Sequence, residues 1–231
     1  EANVQVAEVG ATRETGWRPA ARWLGTLLLG VAVGLLGYVA VTDVIGRFEQ
    51  QQLRRSQPML SEDRAVAPAP ETTTGPVFDF AGWASQDRKY WRELPEGGAF
   101  GRLRAPKMGL DAVVVKGTTR QDLARGPGWI VTTDLPGPTG NCGISGHRTT
   151  YGAPFRHLDR LKPGDTITFD SPYRRYTYRV RRVFAVTPDH VEVVAHTKDP
   201  QLTLTACHPP YSARFRLIVS SDLVEVRQLE R

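Results

Sequence analysis

The sequence predicts an all-β domain that follows a single N-terminal membrane-spanning helix. Short runs of β-branched and aromatic residues recur through the second half of the chain, as in antiparallel strands. Segments rich in Pro, Gly and Asp separate these runs and predict turns. Near the N-terminus, twenty consecutive residues, 23–42, carry no charge, which is the length needed to cross a bilayer as a helix. The 231 residues therefore accommodate one full domain with extensions.

The composition excludes several classes of protein. A hydrophobic content of 40% with 23% charged residues excludes wholesale disorder. The two cysteines, Cys142 and Cys207, lie far apart, which excludes a disulfide scaffold and the repeated Cys/His spacing of a zinc module. No carboxylate cluster has the spacing of a calcium loop. We therefore expect no cofactor and no metal ion.

The net charge of +6 and the isoelectric point of 9.6 permit contact with nucleic acid, anionic lipid or acidic polymer without selecting among them. In the predicted strand around residues 176–186, alternation places Arg175, Arg179 and Arg181 on one face. A surface that binds nucleic acid needs aromatic side chains on which bases stack. No aromatic residues alternate with the arginines on that face. We expect no nucleic-acid partner.

The N-terminal region predicts a single-pass membrane protein. A buried soluble helix is less consistent with an apolar surface on every side, and no small-x-small cleavage site of a signal peptide follows the run. We expect a tail over residues 1–22, a transmembrane helix over 23–45 that contacts the lipid bilayer, and an extracellular remainder. The positive-inside rule weakly favours a cytoplasmic location for the 1–22 tail. Basic residues stand on both sides: Arg13, Arg18 and Arg22 before the run, and Arg47, Arg54 and Arg55 after it.

Two further segments follow the predicted span. Residues 46–97 are polar and contain APAPETTTGP, which predicts an extracytoplasmic stalk with a short helix around residues 47–55. Residues 98–231 form the predicted folded domain, an antiparallel barrel or sandwich. Short helices are expected near 119–124 and 154–161. The predicted strands cover 112–115, 141–147, 165–170, 176–186 and 202–207, with one or two more in 214–226.

Three reactive side chains stand at ends of predicted strands. Cys207 closes the run LTLTAC, His147 ends GISGH, and Arg216 precedes LIV. A lone cysteine is more often a small core residue than a nucleophile. A thiol, an imidazole and a guanidinium at strand ends are nevertheless the groups that acyl transfer requires.

These residues resemble the sortases, cysteine transpeptidases that join surface proteins to the bacterial cell wall. TLTAC at 203–207 is similar to the family's TLxTC strand, and Arg216 follows it by nine residues before an aliphatic strand. TGNCGISGHR at 139–148 is similar to the segment around the family's histidine. APKMGLDAVVVKGT and YGAPFRHLDRLKPGD are similar to the first strand pair and to the helix and turn after the histidine.

The resemblance implies a closed eight-stranded sortase-type β-barrel with short helices. Cys207 would attack the Thr–Gly bond of an LPxTG-like or LAxTG-like sorting signal on a surface protein, giving a thioester. His147 would act as general acid and base, and Arg216 would stabilise the oxyanion or orient the substrate. The acceptor would be an amine of a peptidoglycan precursor, and the enzyme would lie in the membrane of a Gram-positive cell.

Within the family the sequence most resembles class E, the housekeeping type. Class C pilin polymerases are the alternative, but they carry a DPF or DPW lid motif and a second apolar run, and neither occurs in this sequence. A papain-like protease would show a CGSCW-like element, which is also missing. A catalytically silent, membrane-tethered binding protein is the non-enzyme alternative, because Ala206 replaces the family's threonine before the cysteine.

Other residues compete for these roles. Arg214 lies two positions before Arg216 and would share its face of a regular strand, so either arginine could act. Cys142 is expected to be a buried strand residue. The remaining histidines are expected to be surface or hydrogen-bonded residues: His157, His190, His196 and His208.

Overall fold

The structure is a computed structural model, and it describes residues 18–68 and 75–230. Of the tail expected over residues 1–22, residues 1–17 lie outside the described residues, and residues 18–22 form the start of the first helix. The chain divides into two compact units, with the boundary between Tyr38 and Val39. The second unit contains the barrel and all the strands. Four helices are described: α1 (Arg18–Ser56), α2 (Pro58–Ser61), α3 (Asp87–Glu93) and α4 (Arg120–Arg125).

Helix α1 contains the expected membrane span. It is long enough to cross a bilayer, and its segment 21–56 includes a window of mean hydropathy 2.2. Its apolar side chains are exposed in the isolated chain; Leu28 and Leu36, for example, are 61% and 71% exposed. An apolar surface on every side suits lipid rather than a protein core. The short helix expected around residues 47–55 is the last part of α1.

Eight strands close into one barrel, which confirms the predicted fold class. The spatial order is β1-β2-β3-β4-β7-β8-β6-β5, with β5 returning to β1. The strands are β1 (Ala99–Ala105), β2 (Leu110–Lys116), β3 (Gly128–Trp129), β4 (Asn141–Ser145), β5 (Thr166–Asp170), β6 (Arg174–Val186), β7 (Gln201–His208) and β8 (Phe215–Gln228).

Two strand pairs are parallel, whereas the sequence predicted an antiparallel sheet. Strand β2 pairs in parallel with β3, and β4 pairs in parallel with β7. Parallel pairing needs a long crossover between the two strands. Residues 117–127, which include α4, make the first crossover, and residues 146–200 make the second.

The sequence pattern missed β1 and β3. Strand β1 carries two arginines and a glycine in seven residues, which hides its β character. Arg102 is nevertheless buried, because its guanidinium pairs with Asp111 on β2 at 2.7 Å. Strand β3 has only two residues, too few for a periodic pattern. The helix expected at 154–161 is reduced to a 3₁₀ turn, Leu158–Arg160.

Stacked aromatic rings fill the core. Phe100 stacks on Trp129 with ring centroids 4.8 Å apart, and Trp91 stacks on Phe100 at 5.2 Å. Trp91 lies on α3, before the first strand, and its indole N–H donates to the Phe100 carbonyl at 2.8 Å. The segment preceding the barrel therefore supplies part of the barrel's core.

Residues 46–68 pack on the outside of the barrel, whereas the composition predicted a solvated stalk there. Leu53 and Leu60 are 2% and 1% exposed and form a second apolar cluster with Ala99, Val113 and Val115. Val66 bridges to Leu229 near the C-terminus. The polar residues of this segment give it the composition of a linker, although two of its leucines are buried against the barrel.

Replacing Leu60 with alanine is expected to lower the free energy of unfolding by about 2–5 kcal/mol, because it removes a fully buried side chain from the second cluster. The neighbouring Met59 is 44% exposed, and Met59→Ala is expected to change it by less than about 0.5 kcal/mol. Urea denaturation of the full chain in detergent, followed by tryptophan fluorescence, measures both. Equal losses would show that α2 does not dock as described.

Candidate active site

Cys207 lies near the end of β7, between two partner strands. On one side it pairs with Arg216 of β8, and on the other β7 runs parallel to β4. Its side chain is half-buried, whereas the neighbouring Ala206 is 2% exposed and belongs to the core. Side chains alternate along a strand, so Cys207 shares the outer face with Thr205.

Strand β4 brings His147 beside Cys207. The last pair in register is Ser145 with Thr205, and the Gly146 N–H donates to the Thr205 carbonyl at 3.1 Å. Two residues further along each parallel strand stand His147 and Cys207. Neighbouring strands lie about 4.8 Å apart, so the register brings the imidazole and the thiol into adjacent positions.

Burial sets the charge state of His147. The imidazole is half-buried, and Tyr151 packs against it with ring centroids 5.4 Å apart. Burial disfavours the imidazolium and lowers the pKa of His147 below its ordinary value of 6.5. At neutral pH the side chain is therefore mainly neutral and can accept a proton.

Arg216 and Arg214 occupy different environments. Arg216 is half-buried directly across from Cys207, and its Nη1 donates to the carbonyls of Ala213 and Phe215 at 3.1 and 3.3 Å. Arg214 precedes β8, is exposed, and lies over the ring of Phe215. The two arginines do not share a strand face, because the strand begins between them.

A cavity of about 380 Å³ opens beside the outer face of β7 and β8. Thr205 and Arg216 line one side of it. The opposite side comes from the connection between β6 and β7, which contains the 3₁₀ turn Val191–Val194, and it is rich in valine with His190 at its edge. The cavity can therefore take an aliphatic side chain while the guanidinium meets a polar backbone.

The remaining thiol and imidazoles have other surroundings. Cys142 is fully buried in β4, and burial raises its pKa; both cysteines are free. His190 contacts Glu192 at 2.5 Å and His196 contacts Asp134 at 3.0 Å. His157 precedes the Leu158–Arg160 turn and is half-buried.

His208 contacts a residue that sequence reasoning missed. Its Nδ1 lies 3.0 Å from the guanidinium of Arg148, and an arginine can only donate, so Nδ1 is the acceptor. Arg148 is buried and also donates to Asp159 at 2.7 Å. The hydrogen bond between Arg148 and His208 therefore links the residue after His147 to the residue after Cys207. The GHR motif marks Arg148, but its partners become neighbours only in the folded barrel.

Ala206 does not leave a gap beside the thiol. Its side chain packs in the core, on the face of β7 opposite Cys207. A threonine there would bury its hydroxyl among apolar side chains rather than offer it to a reacting group on the outer face. The observation that suggested a silent binding protein therefore has a structural explanation.

The described residues contain no cluster of three or more His, Cys, Asp or Glu side chains able to hold a metal ion. A thiol, a mainly neutral imidazole and a guanidinium at one rim of a closed barrel are typical of enzymes that transfer acyl groups through cysteine.

Comparison with known proteins agrees with this class. The family model described as a sortase domain matches residues 103–224. Sortase SrtE1 of Streptomyces coelicolor is 30% identical over 161 residues, which are 63% of this chain and 46% of the relative. Sortase SrtE2 of the same organism is 28% identical over 217 residues, 86% of this chain and 85% of the relative. The chain thus matches less than half the length of SrtE1.

Solved structures show the same barrel. The crystal structure of sortase E1 from Streptomyces coelicolor with a tripeptide in the active site has a TM-score of 0.54 and 29% identity, covering 57% of this chain and 91% of that chain. Sortase E from Streptomyces avermitilis has a TM-score of 0.53 and 28% identity, covering 58% and 93%. The chain belongs to the sortase family, whose members are cysteine transpeptidases.

Proposed function

We propose that this protein is a membrane-anchored transpeptidase of the class E type. It cleaves an LPxTG-like or LAxTG-like sorting signal between Thr and Gly and transfers the surface protein to an amine of the cell-wall precursor. The observation that carries the proposal is the pairing of Cys207 with Arg216 on β8, together with the parallel pairing of β7 with β4, the strand that leads to His147. The barrel would lie outside the cell, with residues 23–45 in the bilayer and the 1–22 tail in the cytoplasm.

The first half of the reaction forms a thioester. Neutral His147 takes the thiol proton, and the Cys207 sulfur attacks the threonine carbonyl. The carbonyl oxygen becomes an oxyanion, which Arg216 stabilises through its guanidinium. As the oxyanion collapses, the C–N bond breaks and His147 returns the proton to the departing glycine amine.

The second half transfers the acyl group to a new amine. The incoming amine attacks the thioester and loses a proton to His147. Collapse of the second oxyanion breaks the C–S bond, and the Cys207 thiolate recovers the proton from His147. The enzyme returns to its starting state, and one amide bond has replaced another.

The cavity beside β7 and β8 supports a peptide substrate. Its valine-rich wall suits the aliphatic residue that begins the sorting signal, and Arg216 and Thr205 at the other wall suit the peptide backbone. The tripeptide in the active site of the related sortase E1 supports the same assignment for this chain.

Mass spectrometry of the full protein incubated with LAxTG and LPxTG peptide libraries tests the proposal. We expect an adduct on Cys207 whose mass corresponds to the peptide ending at threonine, and its release when an amine is added. Supplying either an N-terminal glycine amine or a lysine side-chain amine then separates cell-wall anchoring from pilin polymerisation. Absence of any adduct would favour a binding protein.

The acid limb of the pH profile of kcat/KM is expected to lie below pH 6.5. Protonation of His147 removes the base that accepts the thiol proton, and burial lowers the pKa at which this happens. The pH dependence of kcat/KM with a fluorogenic sorting peptide measures this limb. His190 is an internal control, because its hydrogen bond to Glu192 raises its pKa, and histidine NMR should show the two shifts in opposite directions. An acid limb at or above pH 6.5 would contradict the assignment.

A further inference from the structure

A glutamine in the last part of α1 makes three hydrogen bonds to the barrel, beside the buried Leu53 and the Arg54–Asp111 ion pair. The Gln50 amide donates to the Val113 carbonyl at 2.9 Å and accepts from the Val113 N–H at 2.8 Å. The same amide donates to the Arg125 carbonyl at 2.7 Å. Arg125 also pairs with Glu49 at 3.1 Å. Residues that directly follow the predicted span are therefore held against β2 and α4.

One turn before Gln50, the helix backbone abuts the loop that carries His147. A Cβ atom added to Gly46 would lie 2.8 Å from the Gly152 nitrogen and closer still to the Tyr151 carbonyl group. Backbone atoms cannot swing aside as a flexible side chain can. Only glycine therefore permits this approach. Gly37, earlier in the same helix, has nothing within 4 Å of the corresponding position.

The loop that Gly46 touches has an unfavourable backbone. Tyr151, Gly152 and Ala153 have successive φ angles of 53°, 74° and 43°. Left-handed conformations are costly for tyrosine and alanine, and they persist only where surrounding contacts enforce them. The Tyr151 ring in this conformation packs on the imidazole of His147.

The space beside this contact leaves the loop room to move. A cavity of about 350 Å³ lies between the Gly46–Gln51 part of the helix and Tyr151, Gly152 and Pro154. The neighbouring charged groups are engaged elsewhere: Arg47 pairs with Asp43, and Arg148 with Asp159 and His208. Contact with the helix is thus the restraint on this side of the loop.

We propose that the segment of α1 after the span is a positioning element of the active site, which holds Tyr151 against His147 through the backbone contact at Gly46. Catalysis then depends on the docked anchor helix as well as on the barrel. This inference rests on the proposed role of His147 in proton transfer.

Gly46→Ala in the full chain, purified in detergent, tests the proposal with Gly37→Ala as the matched control. The added methyl group displaces the loop, and a misplacement near 1 Å can cost up to about a hundredfold in rate. We expect kcat to fall about tenfold or more while KM for the peptide changes little. The Gly37→Ala protein should retain the wild-type kcat.

Histidine NMR gives a second reading that does not need turnover. The five histidines are labelled with ¹³C, and His147 is assigned from its loss in His147→Gln. In Gly46→Ala the ring gains water, so the pKa of His147 should rise towards 6.5. Tyr151 packs against the ring from its own loop, and the register of β4 and β7 predicts Cys207 as the neighbouring titratable group from β7. A simple loss of stability would not shift this titration in protein that remains folded.

The outcomes separate this inference from the proposed function. If the wild-type protein had no transpeptidase activity but Gly46→Ala still shifted the His147 titration, the positioning role would be supported and the proposed function rejected. A folded Gly46→Ala protein with the wild-type kcat and His147 titration would overturn the positioning role alone. If Gly46→Ala does not fold, Gln50→Ala, which removes three hydrogen bonds between the helix and the barrel without adding bulk, is tested by the same two measurements.

Discussion

Cys207→Ala is expected to abolish both thioester formation and transpeptidation, whereas Cys142→Ala should leave both intact. Cys207 is the half-buried thiol on the outer face of β7, across from Arg216 and beside His147. Removing the nucleophile of a covalent mechanism costs on the order of 10⁶ in rate, so activity should fall below detection. The measurements are peptide turnover and the mass of the acyl-enzyme.

Cys142→Ala is the matched control, because it removes the other thiol of the chain. Cys142 is fully buried, and burial raises its pKa, so it forms no thiolate near neutral pH. We expect a loss of roughly 1 kcal/mol in stability without loss of rate. If a folded Cys142→Ala protein lost activity while Cys207→Ala kept it, the nucleophile would have to be reassigned.

Arg216→Ala is expected to reduce kcat by about 10²–10³, the usual cost of removing an oxyanion donor. Its guanidinium is now hydrogen-bonded to the carbonyls of Ala213 and Phe215, which hold it across from Cys207. Arg214→Ala should change kcat little, because that exposed side chain lies over Phe215 before the strand begins. Steady-state kinetics of both variants with the same peptide measures the difference.

Arg216→Lys distinguishes charge from geometry. A lysine keeps the positive charge but lacks the planar fork that can hold two acceptors at once. We expect partial recovery relative to alanine. Equal losses in the Arg214→Ala and Arg216→Ala proteins would mean that the two arginines act together.

The sequence predicted most of the barrel because its strands carry strong local patterns. The runs within β2, β5, β6, β7 and β8 are rich in β-branched or aromatic residues, and the turns between the strands are rich in Pro and Gly. Strand β1 was not predicted because Arg102 and Arg104 interrupt its apolar pattern. The acidic partners of these arginines lie on other strands, so local sequence does not show that the arginines are paired. Closure into eight strands came from the family resemblance rather than from the patterns.

The sequence predicted which residues of the candidate site stand at strand ends. It did not predict how their side chains are arranged. Local alternation could not separate Arg214 from Arg216, because the start of β8 is fixed by pairing with β7. Alternation along β7 could have placed Ala206 in the core, since it flanks Cys207 on the opposite face. The contact of Gly46 with the Tyr151–Gly152 backbone left no local pattern, because Gly46 directly follows the predicted span and its partners lie about a hundred residues further along the chain.

The parallel pairing of β4 with β7 also determines when the protein becomes reactive. These strands are separated by residues 146–200, which contain all of β5 and β6, so they meet only after a large loop has closed. Such non-local pairing forms slowly in folding. A chain emerging from an export channel would carry Cys207 without its imidazole and guanidinium neighbours. If the proposed function is correct, chemical activation of the thiol would wait for completion of the barrel, and a newly translocated chain would be protected from premature acylation.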